Sequence, residues 1–422
     1  MEAKFILSKK KLIEQVDKLK NLGLKISYSY KTNQEVGKIL QKISDVDFSI
    51  HTKKEIEMVN DKSRIWFFVQ AELEKELEEI LGSGVKNFVV DNEVDLKRIL
   101  NVINRTITPQ AYPEKSSTKI FTRGKINLSL RMKFQEHRIG SGKYFVYGMF
   151  SKRVNEIISE IKDNEFIGKV GVHIHRKSQN TSEWELKEEL EDSLTKESLE
   201  RIDVFNLGGG LPTKYRSYVS KVLPYIFERI VVAKKFLEQY NIEVYIEPGR
   251  FLASPSIKLE TEIIQIQENN LVVNTTIYNC ALDTILTGTK MLIEGELDDF
   301  APKSVPPHCV PGIPKKMARE YRLAKKAPGT RPVAQARPAT QARTSNEVPS
   351  DLMQDRTLGG KDGKFYLIKG NSPTRDDIFR YKVKLKNPKV GDKIVFLNAG
   401  AYNYTTDFFG YNKLRTEIVE DF

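Results

Sequence analysis

Cysteine is nearly missing from this chain of 422 residues: only Cys280 and Cys309 occur. Two thiols make no disulfide framework, so a reducing cytoplasm is the expected setting. Histidine is scarce too, with five residues, so a site built on imidazoles must draw on a short list. No apolar run reaches the roughly 18 residues of a helical membrane span. The opening "MEAKFILSKKKL" lacks the apolar stretch and small-residue cleavage site of a secretory leader, and none is expected. Acidic residues fall short of basic ones, and the formal net charge is +12. That excess is local. Residues 300–362 hold 12 Lys+Arg and 5 Asp+Glu, a surplus of 7 and more than half of the total. The same stretch, "KKAPGTRPVAQARPATQARTSNEVPS", has no apolar period and reads as a mobile insertion. The basic balance therefore says little about the folded body, and nucleic acid is not the expected partner.

What remains is ordinary soluble composition, 40% hydrophobic and 29% charged, in a length suited to two domains. Eight β-rich runs stand out: 25–30, 47–50, 64–69, 87–91, 126–132, 169–175, 203–207 and 243–247. Helical patterns separate most of them. "AELEKELEEILGSG" (71–84) puts Leu73, Leu77, Ile80 and Leu81 on one face and ends at glycine. Residues 93–103 and 218–240 behave similarly, with Pro224 marking a kink or a start. This alternation predicts a (β/α)8 barrel over 1–258. From 259 to 422 the texture becomes alternating and turn-rich. It predicts an all-β C-terminal domain interrupted by the insertion.

In such barrels function gathers at the C-terminal strand ends. Those ends carry Lys31, Ser49 and His51, Gln70, Asp91, Arg131, His173 and His175, Gly208–Gly210, and Glu247 with Gly249 and Arg250. "NLGGGLP" (206–212) lets backbone N–H groups approach an anion, and "EPGR" (247–250) follows the next strand, the usual phosphate corner. A lysine, a phosphate corner, a carboxylate able to keep a pyridine nitrogen protonated and a flat imidazole are the parts needed for pyridoxal phosphate. Glu247 pairing with Arg250 or Arg131 is the plainer alternative for that carboxylate. His173 and His175 point the same way along one strand; a metal is the competing reading of "HIH", and a hydrogen-bonded core role is the plainer one for His173. With so few histidines, no metal is expected.

The ordered set of motifs resembles the alanine-racemase-like (type III) pyridoxal phosphate decarboxylases, which act on ornithine, arginine, lysine or diaminopimelate. The likeness covers most of the chain outside 300–362. "YSYKTN" (28–33) is similar to the family's lysine motif, which implies that Lys31 forms the Schiff base. "FSIHTKKEIE" (48–57) resembles the second-strand motif. "HIHRKSQ" (173–179) implies that His175 stacks on the ring and Ser178 touches the phosphate. "NLGGGLP" and "EPGRF" resemble the phosphate and pyridine motifs, and "NAGAYNY" (398–404) implies that Tyr402 reaches the phosphate. Lys31, His175 and Glu247 are the implied catalytic residues. The implied cofactor contacts are those three with Arg131, Ser178, Gly208, Gly209, Gly210, Gly249, Arg250 and Tyr402. The resemblance also implies an L-amino-acid substrate and a homodimer with shared active sites. Three positions depart from the pattern. Lys177 stands for the glycine before Ser178, and Ser49 stands for the second-strand acid. In "GNSPTRDDIF" (370–379), Pro373 and Thr374 stand for the cysteine and acid that complete the partner's site.

Overall fold

The structure, a computed structural model, describes residues 1–107, 124–133, 147–216, 222–297, 363–406 and 410–422. The insertion expected at 300–362 lies outside the described residues. The chain opens with a short strand, β1 (Lys4–Ser8), and then builds the barrel. Its strands are β2 (Lys25–Ser29), β3 (Asp47–Ile50), β4 (Ile65–Val69), β5 (Asn87–Val90), β6 (Ile126–Lys133), β8 (Ile167–Ile174), β9 (Val204–Asn206) and β10 (Glu243–Ile246). The two-residue β7 (Met149–Phe150) adds to the end of β6. Parallel pairing runs from β2 through β5 to β6, then through β8 and β9 to β10, which returns to β2 and closes the ring. All eight expected strands are present.

Burial explains why these runs are strands. Every residue of β4 (IWFFV) is buried, as both faces of a barrel strand require. The helix Glu74–Gly82 buries Leu77, Ile80 and Leu81. Leu73 does not join them: it is the N-cap residue and 60% exposed. Pro224 starts the helix Leu223–Glu238, within its first turn, where its missing N–H costs nothing.

The second domain is mostly β: β11 (Ile257–Gln267), β12 (Asn270–Val273), β13 (Leu292–Ile293), β14 (Lys364–Lys369), β15 (Ile378–Leu385), β16 (Lys393–Leu397) and β17 (Thr416–Val419). It also takes in β1, which lies between β11 and β17, antiparallel to the first and parallel to the second. The domain therefore does not begin near 259 alone; residues 4–8 belong to its sheet. Phe5 and Leu7 are fully buried there. Pairing across some 250 positions leaves no trace in local periodicity, which is why the sequence reading put this segment in the barrel. Two helical turns, Ile277–Cys280 and Leu282–Thr287, interrupt the stretch expected to be purely β.

Candidate active site

Lys31 lies in a single 3-10 turn, Tyr30–Thr32, directly after β2. Asn33 then caps the helix Gln34–Ile43, accepting from the Val36 N–H through its side chain. The Asn33 amide donates to the Gly400 carbonyl at 2.8 Å and to the Asn403 side chain at 2.9 Å. The Tyr404 hydroxyl donates to the Lys31 carbonyl at 2.6 Å, and the Tyr402 N–H donates to the Thr32 carbonyl at 2.9 Å. Tyr402 holds a left-handed backbone, φ 48°, a conformation a residue of its size adopts only where its surroundings enforce it. The lysine turn is thus clamped by the second domain. The Lys31 side chain opens to solvent. The desolvating walls of the mouth nonetheless lower its ammonium from the usual value; Glu247 opposes this and Arg131 reinforces it.

Glu247 follows β10, the neighbour of β2, and is 4% exposed. His173 Nε2 lies 2.9 Å from its carboxylate. Burial pushes the carboxyl up, but the His173 hydrogen bond and the nearby imidazoles outweigh it and hold it at about 2. Burial also lowers His173. The pair therefore rests as a neutral imidazole donating to an anion, which leaves only a lone pair, not a donor, at the partnerless His173 Nδ1. Glu247 pairs with neither Arg250 nor Arg131, so the plainer expectation for it fails, while the hydrogen-bonded core role of His173 holds. His175, two residues on and half-buried, lies parallel to His173 at 6.4 Å and 16°. Burial lowers it to about 3. His51, at the end of β3, packs on Phe68 at 4.6 Å, and Phe68 meets His173 edge-on at 5.0 Å.

The glycine turn closes against this cluster. Gly208 and Gly210 have φ of 69° and 98°. A Cβ on Gly209 would lie 2.8 Å from the Glu247 carbonyl and 3.3 Å from His175 Cε1; one on Gly210 would lie 2.7 Å from the Lys177 carbonyl. Only glycine fits this cradle. Gly249 caps the short helix Arg250–Ala253. Arg250 is buried and makes a two-pronged ion pair with Asp283, with Tyr402 against its guanidinium face at 4.9 Å. Nothing in the sequence around Asp283 signalled this partnership. Arg131 pairs with Asp91 at 3.0 Å across β5 and β6. Ser178 is exposed beside the turn, and Lys177 turns to Glu183 at 2.9 Å. Ser49 bonds Ser27 at 2.8 Å.

In the second domain, the loop after β14 is pinned by Asp377. Its fully buried carboxylate accepts from the Ile277 N–H at 2.9 Å and the Ser372 N–H at 3.0 Å. Thr374 hydrogen-bonds Tyr278 at 3.1 Å, and Pro373 is exposed.

His173, His175 and Glu247 offer ligand atoms within 4.8 Å of one another, a donor set with metal-binding chemistry. His173 and Glu247 are already joined to each other, however, and neither the glycine cradle nor Lys31 would serve a cation. All of them suit a pyridine ring with an aldehyde at one end and a phosphate on its arm.

The comparisons agree with that fit. Residues 9–254 match the model of the pyridoxal binding domain of pyridoxal-dependent decarboxylases. A search of curated protein sequences finds no match. Among solved structures, a diaminopimelate decarboxylase variant from Helicobacter pylori complexed with L-lysine superposes with a TM-score of 0.70 at 17% identity, over 100% of this chain and 92% of that one. Lysine decarboxylase from Selenomonas ruminantium gives 0.68 at 15%, over 100% and 93%. Lysine/ornithine decarboxylase from Vibrio vulnificus, complexed with cadaverine, gives 0.68 at 16%, over 99% and 94%. The chain belongs to the pyridoxal-dependent decarboxylase family, and pyridoxal phosphate is its cofactor.

Proposed function

We propose that this member of the pyridoxal-dependent decarboxylases removes the carboxylate of a basic or diamino L-amino acid: diaminopimelate, lysine, ornithine or arginine. The observation that carries the reading is the buried Glu247 carboxylate, held by His173 at the end of the strand next to that of Lys31. When bound, the cofactor draws electrons from the bond to the departing carboxylate, provided its ring nitrogen stays protonated. Glu247, anionic in a buried site, holds a proton at that nitrogen. His173 fixes the carboxylate's orientation, and His175 presents a neutral ring face. Lys31 holds the cofactor aldehyde, and the desolvating walls around it lower its affinity for protons. The N–H groups of Gly208, Gly209 and Gly210 hold the phosphate together with Ser178, Gly249 and Tyr402. Arg250, with both terminal nitrogens on Asp283, supports Tyr402 from below and adds positive charge. Arg131 lies within electrostatic reach of Lys31, and Asp91 steadies it.

An anionic partner for the ring nitrogen favours decarboxylation over racemisation. The active protein is a homodimer in this reading, each site completed by the partner's 370–377 loop, whose exposed tip supports the assignment. A second reading, a decarboxylase-like regulator with impaired catalysis, is favoured by that same tip. Pro373 and Thr374 carry no ionisable group.

The test is reconstitution with pyridoxal phosphate, borohydride reduction and peptide mapping. Release of carbon dioxide from L-lysine, L-ornithine, L-arginine and meso-diaminopimelate is then measured. The label is expected on Lys31, with carbon dioxide from at least one substrate and none from Lys31→Ala. A label on another lysine overturns the site; a label on Lys31 with no release from any of the four favours the regulator.

A further inference from the structure

We infer that His51 is a further cofactor-contacting residue, hydrogen-bonding through Nε2 to the ring oxygen at C3 of pyridoxal phosphate. The inference rests on Lys31 and Glu247 holding the aldehyde and nitrogen ends of the ring. On that ring the aldehyde carbon is flanked on one side by the phosphate-bearing arm and on the other by the C3 oxygen. The barrel gives each a direction. Lys31 follows β2, whose two neighbours are β10 and β3. The glycine cradle and "EPGR" follow β9 and β10, so the phosphate arm leaves on the β10 side. The C3 oxygen must then face the β3 side, and His51 is the residue that directly follows β3.

His51 is equipped for that position. Its backbone N–H is engaged by the Glu55 carboxylate at 2.9 Å, which anchors the residue. Its ring lies against Phe68. Its Nε2 is buried and has no partner in the protein, a state that costs free energy until something satisfies it. The residue as a whole is half-buried. The charged and titratable groups around it are Lys31, Glu247, Arg131 and His173, all of the mouth, with Glu55 on its own turn. Burial keeps the imidazole neutral at physiological pH, so one nitrogen carries a proton to donate. Ser49, two residues earlier and on the same face of the strand, is spent on Ser27. His51 is therefore the polar group that this strand offers to a ligand.

The test is a cycle between protein and cofactor. Apoprotein of the wild type, His51→Phe and His51→Gln is titrated with pyridoxal phosphate and with 3-deoxypyridoxal phosphate, which lacks only the ring oxygen. Phenylalanine preserves packing on Phe68 without a donor; glutamine restores one. For the wild type, loss of the oxygen is expected to weaken binding roughly tenfold. His51→Phe should bind pyridoxal phosphate more weakly by a similar factor and show no preference between the two compounds. His51→Gln should regain part of the preference. If His51→Phe keeps the full preference, another group holds the oxygen and the inference is overturned. Borohydride labelling of the wild type is run alongside. A label away from Lys31 removes the orientation argument, so the underlying reading and the inference fall together, whereas a label on Lys31 with an unaltered preference in His51→Phe sinks the inference alone.

Discussion

The barrel mouth and the 370–377 loop are built on opposite plans. At the mouth, ionisable groups are crowded into a desolvated wall, and burial and mutual contact displace His51, His175 and Glu247 far from their ordinary values. In the loop, the one buried carboxylate, Asp377, is wholly spent on backbone N–H groups, and the tip carries Pro373 and Thr374, followed by the exposed pair Arg375 and Asp376. The mouth crowds its ionisable groups behind desolvating walls; the loop leaves its charged pair, Arg375 and Asp376, in solvent. Perturbed groups of the first kind mark functional sites.

Acid should break this contrast most severely. His51 and His175, normally near 6.5, sit at about 3 in the fold, so the unfolded chain binds more protons between those limits. Glu247, normally near 4.5, sits at about 2 and adds the same sign below 4.5. Stability should therefore be full above about pH 6.5 and fall continuously towards pH 3. Urea midpoints measured from pH 7 to pH 4 check this; a flat profile would show that the groups of the mouth are not so displaced.

Asp283→Ala comes next. It leaves the buried Arg250 guanidinium unpaired, at a cost of about 3–5 kcal/mol, and loosens Tyr402 on its face. Chemical denaturation should show the loss, and Asp283→Asn should recover part of it. Asp377→Ala attacks the loop instead, stranding two backbone N–H groups for roughly 2–4 kcal/mol. Because the loop carries no part of this protomer's cofactor cradle, binding of pyridoxal phosphate by the folded variant should stay unchanged. Weakened binding would mean that the two regions are coupled.

The smallest effect is expected from Pro373→Cys. An exposed tip position alters stability by less than about 0.5 kcal/mol, and cofactor affinity should not move. Turnover should rise, because a thiol adds general acid capacity where proline has neither an ionisable group nor an N–H. If turnover is unaltered, the tip takes no part in proton transfer.

Much of this was legible beforehand. The eight barrel strands could be read because buried parallel strands are continuous apolar runs separated by helical periods. Lys31, Glu247, His175 and the three glycines could be located because each follows such a run, and barrels carry function there. Asp283 could not be found: it lies in a helical turn of the second domain and meets Arg250 only after the two domains dock. Leu73 misled, since the helical face it shares in projection begins one residue beyond it.

The sequence by itself determined the barrel, the order of the mouth residues around it and the glycines that let backbone approach a phosphate, because periodicity and chain order are local and survive in one dimension. Tertiary structure alone decided three other things. The strand at residues 4–8 joins the far sheet, Arg250 is committed to Asp283 while Glu247 takes His173, and the His51 imidazole is left with a buried nitrogen unsatisfied. Each depends on which groups lose their water together, and desolvation is a property of packed neighbours, not of residues in a row.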